Sequence, residues 1–152
     1  MMKKYYIVTN SPVGAYSIGY DGDVITSVAF GEAGESVPSP AALEAERQLA
    51  EYFAGTRKTF DLPLELHGSE FQMKVWRALL DIPYGETRTY GDIARAVGNS
   101  RACRAVGGAN HVNPICIIVP CHRVVASNGI GGYGEGIEIK KILLELEKGG
   151  LS

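Results

Sequence analysis

Cysteine is scarce in this chain of 152 residues. There are three, an odd number, all between positions 103 and 121. That rules out a disulfide framework and fits a reducing compartment. No apolar stretch approaches the ~18 residues that a membrane span needs, and Met1-Met2-Lys3-Lys4-Tyr5-Tyr6 has no apolar core of signal-peptide length. These absences predict a cytoplasmic protein with no membrane partner. Internal repeats and low-complexity segments are absent as well. At 45% hydrophobic and 21% charged residues, the chain has enough apolar content to bury a core as one domain or two small ones.

Net charge is only −2, but it is unevenly spread. Residues 1–66 hold 5 Lys/Arg against 9 Asp/Glu, or −4, and residues 67–152 hold 10 against 8, or +2. Between Arg88 and Arg123 lie five arginines (Arg88, Arg95, Arg101, Arg104, Arg123) and a single acid, Asp92. A lysine-free basic stretch suits a phosphate-bearing partner as well as it suits a solvated face.

That stretch ends in the segment around which the chain is organised, residues 110–125. An apolar, β-branched run leads to Val119-Pro120-Cys121-His122-Arg123. It reads as a strand that Pro120 terminates, presenting the Cys121 thiol at its tip. A thiol of ordinary pKa is mostly protonated at neutral pH, so a nucleophile there needs a base or positive charge beside it. His122 and Arg123 are the candidates; otherwise Cys121 is a small buried hydrophobe.

Taken in order, Lys4–Thr9, Gly14–Tyr20 and Val24–Phe30 read as antiparallel strands with a hairpin turn at Asp21-Gly22. Ser39 and Pro40 open a helix that runs to Phe53 and stops at Gly55, and a further strand is expected over 58–66. Nothing in 1–66 looks catalytic. Ser69 and Gln72 form a capping box for a helix from Glu70 to Leu80, with Phe71, Val75, Trp76 and Leu79 on one face. Thr89 and Asp92 cap a short helix over 90–97, and Ser100 is positioned to cap a second over 101–107. Two short helices about a glycine-containing turn form a helix-turn-helix.

The second of these helices is built mainly of Ala, Gly and Cys with two arginines. It has no Asn, Gln or Lys to read base edges in a major groove. A smooth helix suits close approach to a minor groove without a sequence code, or tight helix packing. Downstream, 126–136 holds five glycines around Tyr133 without a Gly-Lys-Ser/Thr ending, which excludes a phosphate loop. A last helix covers 137–148 with Ile139, Ile142, Leu143 and Leu146 inward, where Glu147 would ordinarily face solvent. Strand alternation would send Cys116 and Cys121 to opposite faces, so zinc is not expected and Cys116 reads as core. His67 and His111 have no evident partner and read as structural.

Over 69–148 the sequence resembles the O6-alkylguanine-DNA alkyltransferase (methylated-DNA–protein-cysteine methyltransferase) family. The resemblance rests on Val119-Pro120-Cys121-His122-Arg123-Val124-Val125, with Phe71-Gln72-x-x-Val75-Trp76, Ile82-Pro83-Tyr84-Gly85-Glu86-Thr87, Thr89-Tyr90, Arg104-Ala105-Val106-Gly107, Asn113-Pro114 and Gly132-Tyr133. Over 1–66 it rests on order and length alone.

The resemblance implies an α/β (α+β) fold. An N-terminal antiparallel sheet with a helix, ribonuclease H-like, would occupy 1–66. A mostly helical winged helix-turn-helix domain over 67–152 would carry the active site. The implied function is DNA repair by irreversible transfer of an alkyl group from O6-alkylguanine in duplex DNA to Cys121, once per molecule. Cys121, His122, Glu147, Asn113 and Tyr90 would be catalytic. Arg104 would fill the gap left by a flipped guanine, with Arg101, Ala102, Cys103, Ala105, Gly107, Thr89, Tyr90 and Arg123 on DNA. Tyr133, Gly134, Val124 and Tyr90 would line the pocket. Gly134 and Glu135 stand where some relatives carry Ser and Gly, and Cys103 where Ala is frequent. No cofactor, metal or membrane is implied, and a monomer is expected. The alternatives are a non-enzymatic alkyltransferase-like lesion sensor, whose members replace the cysteine, and a Cys-His hydrolase or thiol-redox protein.

Overall fold

The structure, a computed structural model, describes residues 3–134 and 136–149. The N-terminal half opens with strands β1 (Lys4–Val8), β2 (Tyr16–Asp21) and β3 (Val24–Phe30), an antiparallel meander in the order β1-β2-β3. Gly22 adopts a positive φ at the tip of the β2–β3 hairpin, a conformation open to glycine without strain. Helix α1 (Pro40–Phe53) packs on this sheet. Its first turn is closed by the Ser39 hydroxyl, which accepts from the Ala42 amide, and Pro40 occupies a position whose N–H would have had no partner. Ala42, Ala45, Leu49 and Tyr52 form its buried stripe at helical spacing. The expected strand over 58–66 is reduced to one bridge, Leu64 to Ile25, because Pro63 lends only its carbonyl to β3.

The second half is helical. Helix α2 (Glu70–Leu80) carries the full capping box: Ser69 accepts from Gln72 N and Gln72 returns the bond to the Ser69 amide. Strand β4 (Arg88–Thr89) leads into α3 (Tyr90–Ala96), capped reciprocally by Thr89 and Asp92. After the turn at Gly98 comes α4 (Cys103–His111). This helix starts two residues later than Ser100 would place it and has no side-chain cap; Asn99 closes the turn instead, bonding the Arg101 and Ala102 amides. It also runs on to His111, so Asn110 and His111 are helical, not extended. Trp76 is core, as expected, and its indole donates to the Ala109 carbonyl, locking α2 to α4.

The largest correction concerns 112–120. The β-branched run is a compact loop, with one parallel bridge from Ile115 to Val28, followed by a single 3₁₀ turn over Cys121–Arg123. Two-residue strand β5 (Val124–Val125) pairs in parallel with β4, and α5 (Ile137–Glu147) closes the chain over the core. The loop is pinned to the first half by β3, because Val28 N donates to Pro114 O and Cys116 N to Val28 O, each at 3.0 Å. Both halves thus share one hydrophobic core. Among the described residues no helix is long and apolar enough to cross a membrane.

Replacing Ser69 by Ala removes one bond of the α2 capping box and strands the partner. The expected cost is about 1 kcal/mol, read as a lower urea midpoint at unchanged slope.

Candidate active site

The loop before Cys121 is held by one side chain. Asn113 donates through Nδ2 to the Val119 carbonyl at 2.8 Å and accepts through Oδ1 from the Ile115 amide at 3.0 Å. Between these anchors Ile117 takes φ 73°. For a β-branched residue that is strained backbone, tolerated because the buried loop leaves no alternative. The sharp reversal brings Cys116 back against Cys121, where the two thiols hydrogen-bond, contrary to the opposite faces that a strand would impose.

Cys121 is buried, as are the two residues after it. Its pKa lies below the ordinary thiol value because Cys116 hydrogen-bonds it, against the opposing effect of burial. Asn113, the Tyr133 hydroxyl and the nearby Lys140 charge act in the same direction as Cys116. His122 is fully enclosed, and burial holds its pKa down, so the imidazole is neutral. Nε2 lies 2.7 Å from Glu147 Oε2. An ionised carboxylate only accepts, which places the ring proton on Nε2 and leaves Nδ1 as the free base. Nδ1 has no hydrogen-bond partner among the described residues.

Glu147 is not a surface residue. Burial raises its pKa, yet bonds from His122, Arg123 and Tyr52 outweigh it and leave the carboxyl at about 2. Arg123 donates through Nε and Nη2 to the two carboxylate oxygens at 2.8 and 3.0 Å and through Nη1 to Ile82 O at 2.7 Å. That disposes of Arg123 as a phosphate contact: its guanidinium is buried and fully engaged with Glu147 and Ile82.

A cavity of about 600 Å³ opens above the thiol. Tyr90, Arg104 and Gly107 supply the helix-turn-helix wall, and Tyr133 with Gly134 the opposite one. Cys103, Arg104 and Ala105 are exposed on α4 and Arg101 is exposed in the turn before it, whereas Ala102 at the cap faces inward, so the smooth surface omits that residue. Val124 is likewise wholly buried, its carbonyl accepting from Lys140, so it backs the site without lining the cavity. Thr89 is half-buried and serves as the α3 cap. Gly131, at φ 77°, is a true glycine requirement, since a Cβ there would stand 2.9 Å from the Tyr90 hydroxyl. Glu135 lies outside the described residues.

Several participants escaped the sequence reading. His111 and Asn110 line the cavity. Lys140 is fully buried and donates to Val124 O and Gly132 O at 2.6 and 3.0 Å, tying the glycine loop to β5 directly after the 3₁₀ turn. Burial lowers its pKa to about 8. A signal existed: Lys140, Leu143 and Glu147 share one helical stripe at i, i+3, i+7, and charged residues on an apolar stripe need partners. Tyr52 carried no such signal. Among the described residues no cluster of three or more His, Cys, Asp or Glu could hold a metal ion.

Fold and site together define a class: an α/β protein with a buried thiol of lowered pKa and a hydrogen-bonded His–Glu pair beside a helix-turn-helix. Family comparison specifies it. Residues 70–149 match the 6-O-methylguanine DNA methyltransferase DNA-binding domain and residues 4–66 its ribonuclease-like domain, so the chain belongs to the 6-O-methylguanine DNA methyltransferase family. A methylated-DNA–protein-cysteine methyltransferase of Methanosarcina acetivorans is 48% identical, covering 94% of this chain and 97% of that one. The crystal structure of a Mycobacterium tuberculosis O6-methylguanine methyltransferase superposes with a TM-score of 0.88 at 47% identity, covering 97% of this chain and 94% of that one. A Mycobacterium tuberculosis structure in complex with DNA gives the same score, identity and coverage.

The depressed carboxyl predicts acid sensitivity. Unfolded Glu147 takes up a proton near pH 4.5 and folded Glu147 only near 2, so its contribution is complete above about pH 5.5 and lost as pH falls towards 2. Neutral His122 loses stability in the same direction below about pH 6.5. Thermal unfolding midpoints should therefore fall steadily over this interval. Glu147→Gln should flatten the part below pH 5 while lowering stability at pH 7 by about 3 kcal/mol or more, because Arg123 is left buried without its counter-charge.

Proposed function

We propose that this chain repairs DNA as a methylated-DNA–protein-cysteine methyltransferase, moving the alkyl group of O6-alkylguanine onto Cys121 once per molecule. The observation that carries this reading is the Cys121 thiol, of lowered pKa, facing a cavity whose wall is the arginine-bearing, small-residue helix α4. Exposed Arg101 meets the phosphate backbone, and the small side chains of Cys103, Ala105 and Gly107 let α4 lie close in a minor groove. Arg104 fills the stack left by the extruded guanine, which enters the cavity between Tyr90 and Tyr133.

In the reaction the thiol proton passes, through a bridging water, to Nδ1 of His122. The imidazolium that forms is held by the Glu147 carboxylate through Nε2–H. The sulfur then attacks the alkyl carbon, forming the S–C bond as the C–O6 bond breaks. Negative charge developing on guanine is met by the Tyr90 hydroxyl. The product is a thioether with no adjacent carbonyl or other electrophile for water to attack, so Cys121 is not regenerated. Asn113 keeps the loop in the conformation that aims the thiol. Residues 1–66 act as a structural α/β unit and 67–152 as the DNA-binding and transfer unit, working as a cytoplasmic monomer without metal or cofactor.

Incubation with duplex DNA containing O6-methylguanine should add about 14 Da to the peptide containing Cys121, one CH₂ for each protein molecule. No gain, or a gain on another residue, rejects the reading; binding without transfer favours the lesion-sensor alternative. Cys121→Ala should abolish transfer and keep DNA affinity. Arg104→Ala should slow transfer from duplex DNA by about tenfold or more while sparing reaction with the free base. A normal duplex rate in that variant would refute the finger role.

A further inference from the structure

Tyr52 sits in the half of the chain with no catalytic motif, yet its hydroxyl donates to Oε2 of Glu147 at 2.5 Å. The tyrosine is fully buried. Its ring is fixed among Phe53, Phe60 and Tyr84, with centroids 5.6, 5.5 and 6.1 Å away. The other donors to this carboxylate are His122, Arg123 and the Gly85 amide, all from the second half. Among the described residues Tyr52 is the one hydrogen bond to Glu147 that crosses from the first.

We propose that Tyr52 is a positioning residue for proton transfer from Cys121, orienting Glu147 Oε2 towards His122 and limiting how strongly that oxygen draws on the Nε2 proton. The inference rests on the reading in which the His122–Glu147 pair activates Cys121. Oε2 is shared by three donors: Tyr52, His122 at 2.7 Å and Arg123 Nη2 at 3.0 Å. A hydroxyl donating to one lone pair fixes the carboxylate plane, and each donor draws off charge that would otherwise bind the imidazole proton more tightly. The first half of the chain thereby helps set the basicity of His122, where the family match supplies only a ribonuclease-like platform.

The charged and titratable groups around this centre are few. Arg123 and His122 face the carboxylate from the 3₁₀ turn, Tyr84 from the segment after α2, and Tyr52 from α1. Lys140 faces His122 and Cys121 from α5. Lys58 lies over the Tyr84 ring at 5.6 Å. Burial and the adjacent carboxylate keep the Tyr52 hydroxyl protonated well above its usual range, so it remains a donor at every working pH. A change on removing it is therefore read through Glu147 and His122.

Tyr52→Phe deletes one oxygen and keeps the ring. Two rates test it against pH: methyl transfer from duplex DNA, and alkylation of Cys121 by iodoacetamide followed by peptide mapping, which needs no DNA. We expect both to fall about three- to tenfold on the plateau, less than the full worth of one charge-assisted hydrogen bond because the carboxylate keeps its other donors. We also expect the acid limb to move to higher pH, because Glu147 and His122 then hold their protons more tightly. In a Glu147→Gln background the Tyr52→Phe effect should vanish, whereas a purely structural role would add to it. Site-specific 3,5-difluorotyrosine at position 52, a more acidic phenol of similar shape, should move the limb to lower pH, and it decides the question if the Phe variant does not fold. Unchanged limbs in these variants, or an equal loss in the Gln background, overturn the assignment. If wild-type protein alkylates at Cys121 but accepts no methyl group from DNA, the functional reading fails while the alkylation profiles still judge Tyr52.

Discussion

A single buried carboxylate holds this molecule together at its functional centre. Glu147, the last residue of α5, receives hydrogen bonds from α1, from the segment after α2 and from the 3₁₀ turn at once. An isolated charge at that depth would cost several kcal/mol, and only a full set of donors makes it tolerable. The same set orients the neighbouring imidazole. With the carboxyl ionised, His122 is held in one tautomer, and Nδ1 is left unprotonated with no hydrogen-bond partner among the described residues. The requirement to satisfy Glu147 therefore fixes the relay geometry, and the elements that supply its donors can shift little without stranding it.

Around that centre the chain tolerates local strain to aim one sulfur. Asn113 bonds both ends of the 113–119 loop, β3 pins it from the sheet side, and Ile117 accepts a left-handed φ in consequence. The loop delivers Cys121 to a cavity and Cys116 to Cys121, and hydrogen bonding to the sulfur outweighs the burial that would otherwise keep the thiol protonated. Lys140 performs the corresponding task on the opposite wall. It bonds Val124 and Gly132 with one ammonium group, so the glycine-rich segment lies against Tyr90 where bare backbone is required at Gly131.

The outer wall follows another economy. Helix α4 keeps Val106 and Ala109 inward and leaves a surface of small side chains and arginine outward. Trp76 locks this helix to α2 through its indole, giving it a rigid backing without long side chains of its own. Such a surface gives up base reading for closeness of approach, which fits a protein that must find a damaged base in any sequence context.

Much of this was legible beforehand. The caps at Ser39, Ser69 and Thr89, the hairpin at Asp21-Gly22, and the Pro-Cys-His-Arg sequence are local signals, each decided by neighbours within about four residues, and the structure keeps them. Period alone misled at 112–120, since a β-branched run has the propensity of a strand but here finds a single bridge partner, at Val28, and collapses into a loop. Local reading fell short at Arg123, counted with the basic stretch as a DNA contact, and at Glu147, where a glutamate at a helix end would ordinarily face solvent. Their burial follows from each other and from Tyr52, which lies 95 residues from Glu147. The sequence by itself determined the capped starts of α1, α2 and α3, the Pro-Cys-His-Arg segment and the smooth arginine-bearing helix, because those depend on local chemistry. Only the tertiary structure decided which charges go inside and which way the thiol points, because a buried charge is stable only where distant parts of the chain meet to satisfy it.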